Sequence, residues 1–288
     1  MQTALPRRHN APMRVPRAIH AITNQRGLRA VRDADPDFAG TLAKGLMILQ
    51  TFVKDPRAHA NSDLAQKLGL PRSTVSRLCR SLQVLGFLDH DERLDRYFIG
   101  PAAVTLGYPY VINTPLLVQL RPALQSLADR FEGAVSVGVA MDLDVVYVES
   151  CAHEHGTLKR PGVGAVRGIV ETAMGRAWLA SLSPIQRRTF LSRVKAHRSD
   201  EHLRCADGVK ESLANHRSRG HSLNMGDAGL GVLAVGVASQ IRYGSRYLLF
   251  NCAVPGYRAR TDDVLATIGP ALVQLVNMAN HQSSSRGL

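Results

Sequence analysis

An α+β architecture is predicted by three features of the sequence. Two short amphipathic helices flank a Gly-Leu-Pro turn near the N-terminus, a pair of apolar segments around a polar tip follows them, and the C-terminal half alternates helices with apolar hairpins. Residues 61–85, NSDLAQKLGLPRSTVSRLCRSLQVL, carry the first feature. Asn61 or Ser62 can cap the first helix, Leu64, Ala65 and Leu68 form its apolar stripe, and Gly69 supplies permissive backbone where it stops. Pro71 suits the first turn of the next helix, where no intrahelical N–H bond is missed. At about 100° per residue, Val75, Leu78, Leu82 and Leu85 point inward beside Cys79, whereas Ser73, Arg77 and Arg80 point outward, flanked by Arg72 and Ser76. This is a helix-turn-helix pattern. An outer face of hydroxyls and guanidiniums suits the major groove of double-stranded DNA, because hydroxyls donate to phosphates and Arg can donate a bidentate pair to guanine.

The plain alternative, a helical hairpin with a solvated basic face, is weakened by what comes next. Gly86-Phe87-Leu88-Asp89 breaks the helix, and Tyr97-Phe98-Ile99-Gly100 follows the polar tip DHDERLDR, so two short strands form a hairpin wing. Arg93 and Arg96 then sit where a wing meets the phosphate backbone. Upstream, Leu42, Gly45, Leu46, Leu49 and Val53 recur at helical spacing and mark a supporting helix.

These residues resemble the N-terminal domain of the IclR family of bacterial transcriptional regulators. The resemblance is carried by Leu42-Ala43-Lys44-Gly45-Leu46 with Ile48-Leu49, by Asp63-Leu64-Ala65, and by Gly69-Leu70-Pro71-Arg72-Ser73-Thr74-Val75 with Arg77-Leu78. It continues through Leu85-Gly86-Phe87-Leu88 and Tyr97-Phe98-Ile99-Gly100-Pro101. It implies a winged helix-turn-helix that binds operator DNA as a homodimer or dimer of dimers.

The chain has 288 residues, with 36 Lys plus Arg against 23 Asp plus Glu, a net charge of +13. That length accommodates two domains, and the charge favours a polyanionic partner. Residues 1–38 hold Pro6, Pro12, Pro16 and Pro36 among scattered arginines and few large apolar side chains, and are expected to form a disordered basic arm. The winged domain occupies 39–100. A connector helix, interrupted by Pro109, is expected over 101–115.

The second domain, residues 116–281, opens with an amphipathic helix whose Leu117, Leu120, Leu124 and Leu127 keep helical spacing. SVGVAM and DVVYVES read as a hairpin joined at Asp142-Leu143-Asp144. A Gly-rich loop over 156–168 leads to a helix at 172–182, another begins at Pro184, and a basic helix spans 207–219. GVLAVGVAS and YLLFNCAV add two strands, and a helix over 261–280 closes the chain. Helices packed around a curved antiparallel sheet are expected. The family resemblance extends here through Leu127-Ala128, Val145-Val146-Tyr147-Val148-Glu149 and Thr172-Ala173-Met174-Gly175-Arg176-Ala177, and implies a GAF/PAS-like effector domain. The Met-Gly-Arg-Ala run also resembles the subgroup that regulates catabolism of aromatic acids.

By position, the resemblance assigns effector contacts to Ala173, Met174, Asn224, Val232, Asn251 and Ala253, with backbone N–H groups at the start of the 172–182 helix facing a carboxylate. The implied partner is a small carboxylic acid. Val170, Asn224-Met225-Gly226-Asp227 and Gly231 stand where the family often has His, an acidic run and Arg, so a less polar pocket is expected. For each of these residues a packing role is the alternative.

Other chemistry is weakly represented. Cys151-Ala-His-Glu-His155 holds ligand types that zinc accepts, but no second Cys or His pair at metal spacing completes a tetrahedron, and a solvated loop is the simpler reading. Gly162-Val-Gly164-Ala-Val-Arg-Gly168 has one residue too many for a dinucleotide fingerprint and no βαβ context. No GxSxG elbow is present. Neither a catalytic residue, a metal nor a cofactor is expected. The four separated cysteines and the absence of a long apolar run or signal peptide point to a reduced, cytoplasmic protein without a membrane partner. The function expected is a DNA-binding transcriptional regulator that responds to a small organic or aromatic acid. The alternatives are an architectural factor without an effector, and an enzyme tethered to DNA.

Overall fold

The computed structural model describes residues 25–35, 37–113, 115–156, 161–226, 231–257 and 264–285. The N-terminal unit comprises α1 (Gln25–Ala34), α2 (Gly40–Lys54), α3 (Asn61–Leu68), α4 (Arg72–Val84) and the hairpin β1 (Leu88–Asp91) and β2 (Arg96–Ile99). Met47, Ile48 and Phe52 of α2, Leu64, Ala65 and Leu68 of α3, and Val75 and Cys79 of α4 form its core. α1 lies inside the stretch expected to be disordered and corrects that reading for its ten residues, since Leu28 is buried in this core. Residues 1–24 lie outside the described part.

Four local expectations need correction. The stripe that marks α2 is buried only in part: Gly45 is buried and Leu49 packs against the core, but Leu42, Leu46 and Val53 are exposed, and Met47, Ile48 and Phe52 supply the inward face. The first helix of the motif is not capped by Asn61 or Ser62. Its cap position is Ala60, whose N–H donates to Asp63 at 3.2 Å. Leu85 is 64% exposed because α4 ends at Val84 and Gly86 turns away with φ 74, taking Leu85 out of helical phase. The connector α5 (Ala102–Ile112) continues through Pro109 without a break and ends within one turn of it.

The C-terminal unit contains α6 (Pro115–Arg130), β3 (Ala134–Met141), β4 (Asp144–Ala152), β5 (Val166–Gly168), α7 (Ala173–Ser181), α8 (Pro184–His197) and α9 (Ser199–Arg219). It continues with β6 (Ser222–Asn224), β7 (Val232–Tyr243) and β8 (Arg246–Pro255), then a π-helical turn (Val264–Ile268) and α10 (Gly269–Ser285). The six strands make one antiparallel sheet in the order β5-β4-β3-β8-β7-β6. Strand alternation divides its side chains between two layers. Val135, Val137, Phe250, Cys252 and Val254 face the layer of α6 and α10, which buries Leu117, Leu120, Leu124 and Leu127 as expected. Val145, Tyr147 and Leu249 face the layer of α7, α8 and α9. No helix among the described residues is long and apolar enough to cross a membrane.

Candidate functional site

The helix-turn-helix is built where the sequence places it. Gly69 adopts φ 65 and ψ 30, a left-handed conformation that costs glycine little, and Leu70 N–H closes the turn onto the Ala65 carbonyl at 3.1 Å. Pro71 takes the cap position rather than the first turn, and α4 begins at Arg72. Arg72, Ser73, Ser76, Arg77 and Arg80 are all exposed on α4, and Arg93 and Arg96 are exposed on the hairpin. Arg72, Arg77 and Arg93 form no ion pair among the described residues, so their guanidiniums are available to phosphate or base. Arg96 differs. It reaches the Ala58 carbonyl at 3.4 Å and Asp63 at 3.5 Å, which ties β2 to α3.

A buried histidine that the sequence reading missed secures the wing. His59 exchanges backbone hydrogen bonds with Tyr97 at 3.0 and 2.8 Å, and its ring meets Phe52 edge-on at 5.1 Å. The hairpin is therefore extended by a third backbone segment, a pairing too short to leave a periodic signal.

The second site is a cavity of about 450 Å³ between the sheet and the segment that enters α7. Register explains why it exists. Ser136, Asn251 and Gly236 are cross-strand neighbours on β3, β8 and β7, and Ala134, Ala253 and Ala234 form the next row. All six residues are small, Gly236 having no side chain at all, so this patch of sheet does not fill the space beneath the helices. Gly236 also permits close approach: a Cβ there would lie 2.2 Å from the Ala173 carbonyl carbon and 2.4 Å from Met174 N. α7 thus rests its first turn directly on β7.

Of the residues assigned to this pocket by position, Ala173, Asn224, Val232, Asn251 and Ala253 do line it. Met174 does not. Its side chain is fully buried in the core with Val145, Ile169 and Trp178, while its backbone N–H, the group on which the assignment rested, lies in the first turn of α7. Asn224 serves the rim: its amide donates to the Glu171 carbonyl at 2.5 Å, and its Oδ1 accepts from Gly226 N–H at 3.0 Å. Asn251 is 7% exposed and its Oδ1 has no hydrogen-bond partner. At the start of α7, Thr172 Oγ1 accepts from Gly175 N–H at 3.1 Å, a side-chain cap.

Arg167, Glu171, Ser136 and Tyr147 also line the cavity, and none was singled out in advance. These polar groups stand in a lining whose surface is otherwise mostly apolar. Glu171 is paired with Arg204 at 2.5 Å, so its charge is answered from α9. Arg167 forms no ion pair among the described residues. Burial pushes the Tyr147 phenol up to about 12 despite the nearby Arg167, which leaves it a neutral hydroxyl. Arg167 lies on β5, within the glycine-rich segment that leads to the α7 cap at Thr172, and that closeness in sequence to the helix start was the available signal.

The residues considered for zinc do not converge. Cys151 is buried with its Sγ toward the Arg121 carbonyl, whereas His153 pairs with Asp129 at 3.1 Å. Among the described residues no group of three or more potential ligands is brought together.

Comparisons with known proteins agree with this architecture. A family model described as the IclR helix-turn-helix domain matches residues 41–92, and one described as bacterial transcriptional regulator IclR C-terminal matches residues 109–275. The chain is 26% identical over 238 residues to the HTH-type transcriptional regulator TsaQ1/TsaQ2 of Comamonas testosteroni, covering 82% of this chain and 85% of that protein. It is 29% identical over 160 residues to the Pca regulon regulatory protein of Pseudomonas putida, a match that spans about half of each, 55% and 54%. Among solved structures, an IclR family transcriptional regulator from Brucella abortus superposes with a TM-score of 0.78 at 28% identity, covering 88% of this chain and 95% of that one.

Proposed function

We propose, from the premise that this chain belongs to the IclR family of DNA-binding transcriptional regulators, that it reads an operator through α4 and the wing and is controlled by a small carboxylic acid held in the cavity beside α7. The observation that carries the ligand-responsive reading is the cavity itself. It is about 450 Å³, within the range of small-molecule sites, and combines alanine walls with a lining cation and a buried amide oxygen that has no hydrogen-bond partner. An acid acts on DNA binding only through different affinities for two arrangements of paired recognition helices. Thermal shifts over a panel of carboxylic acids test this; a panel without any stabilising member contradicts it.

In this reading Ser73, Ser76, Arg72, Arg77 and Arg80 enter the major groove while Arg93 and Arg96 approach phosphates on the flank. Arg77→Ala is expected to cost about 1–3 kcal/mol in specific binding, whereas Arg96→Ala weakens specific and non-specific DNA alike. Gel-shift titrations with a selected operator and a scrambled duplex check the difference. Unchanged affinity in both variants, with folding intact, removes α4 and the wing from the interface.

We further propose that the protein works in the cytoplasm as a homodimer or dimer of dimers on an inverted repeat, with half-sites about one helical turn or more apart. Leu42, Leu46 and Val53 on α2, with Val104, Leu106 and Tyr108 on α5, leave apolar side chains in solvent, as an interface cut open does. Leu46→Glu should lower the mass measured by light scattering at micromolar concentration and weaken operator binding. An unchanged mass places the interface elsewhere.

A further inference from the structure

We propose that the effector is an elongated hydroxy acid, whose carboxylate pairs with Arg167 and whose hydroxyl, at the other end, donates to Asn251. The proposal rests on the acid-effector reading above and adds the ligand's second group and its orientation. Two independent observations point to it. Arg167 lines the cavity from the exposed position of β5 and forms no ion pair among the described residues, and a guanidinium favours a planar carboxylate because it donates to both oxygens. Asn251 lines the same cavity, is more than nine-tenths buried, and has an acceptor without a donor. A buried amide oxygen left unpaired is costly, and a ligand O–H relieves that cost.

The register sets the spacing between the two groups. Arg167 pairs with Val145, which pairs with Ala140 on β3, whereas Asn251 pairs with Ser136 on the same strand. Those rows lie four residues apart on β3, about 13 Å at roughly 3.3 Å per residue, and the long arginine side chain closes part of that gap. A ligand that satisfies both residues carries its carboxylate and hydroxyl at opposite ends. Tyr147, which pairs with Gly138 between the two rows, and the alanine walls offer an apolar body a place to lie. Glu171, the remaining charged group of the lining, is held by Arg204, so it does not neutralise Arg167.

The test is calorimetry on the full-length protein with matched pairs: 4-hydroxycinnamate against cinnamate, 4-hydroxybenzoate against benzoate, and 4-hydroxybenzyl alcohol as the member without a carboxylate. In the wild type the hydroxylated acid of at least one pair should bind about tenfold or more tightly than its partner, and the alcohol should not bind. Asn251→Leu should erase the difference within the pair. Arg167→Gln should weaken both members by about tenfold or more, with Arg167→Lys retaining part of the affinity. Equal binding of hydroxylated and plain acids by the wild type overturns this proposal and leaves the acid reading standing, and the comparison requires no variant to fold. Acid binding unaffected by Arg167→Gln also overturns it. No binding by any acid overturns the acid reading and this proposal together.

Discussion

Arg176→Leu is expected to destabilise the C-terminal unit by about 2–6 kcal/mol, because two buried carbonyls lose their donor at about 1–3 kcal/mol each. Arg176 is 1% exposed on α7, and its Nε and Nη1 donate to the Val170 and Leu223 carbonyls, each at 2.8 Å. Val170 precedes the lip that carries Glu171, and Leu223 adjoins Asn224 on β6, so one guanidinium fixes two walls of the cavity. Leucine approximates the packing volume but leaves both oxygens unpaired. Arg176→Lys should also destabilise, since a single ammonium lacks the rigid fork that reaches two diverging carbonyls. Urea unfolding followed by near-UV circular dichroism measures both variants. A loss below about 1 kcal/mol for Arg176→Leu would show that those carbonyls find other donors.

Leu64→Ala should cost about 2–5 kcal/mol in the N-terminal unit, the cost of removing a fully buried leucine. The magnitude matters because the unit is small. At roughly 0.05–0.15 kcal/mol per residue, a domain of about sixty residues has only about 3–9 kcal/mol of stability to lose. The variant should therefore unfold its recognition helix at temperatures where the sheet persists, abolishing DNA binding while ligand binding survives. Hydrogen exchange would report this as loss of protection in α3 and α4 and retained protection in β3 and β8. Uniform protection across both units would contradict a separately packed N-terminal core.

Much of the N-terminal unit was legible because its signals are local. Helical spacing, a left-handed glycine, a proline at a helix start and a polar hairpin tip all act within a few residues, and they place α3, α4 and the wing. The same logic found α6 and the β3–β4 and β7–β8 hairpins. It failed where the signal was short or the choice was between faces. β5 and β6, of three residues each, are too brief to show alternation. α2 has two apolar faces, and nothing local says which meets α3.

The candidate cavity was legible only in part. Resemblance located five residues of its lining and assigned Met174 through its backbone N–H, while adjacency in sequence could not say that the Met174 side chain enters the core. Arg167 and the unpartnered Asn251 acceptor emerge only from the assembled fold.

The sequence by itself determined the helix-turn-helix, its exposed basic face and the alternation of helices with hairpins, since each is set by periodicity and backbone preference over one or two turns. Only the tertiary structure decided that Ser136, Asn251 and Gly236 share a row, that Arg167 and Asn251 open into one space, and that Arg176 is buried between two carbonyls. Asn251 is brought beside Ser136 from more than a hundred residues away. Strand register and burial depend on such distant partners, and the chemistry of the cavity follows from register rather than from any one segment.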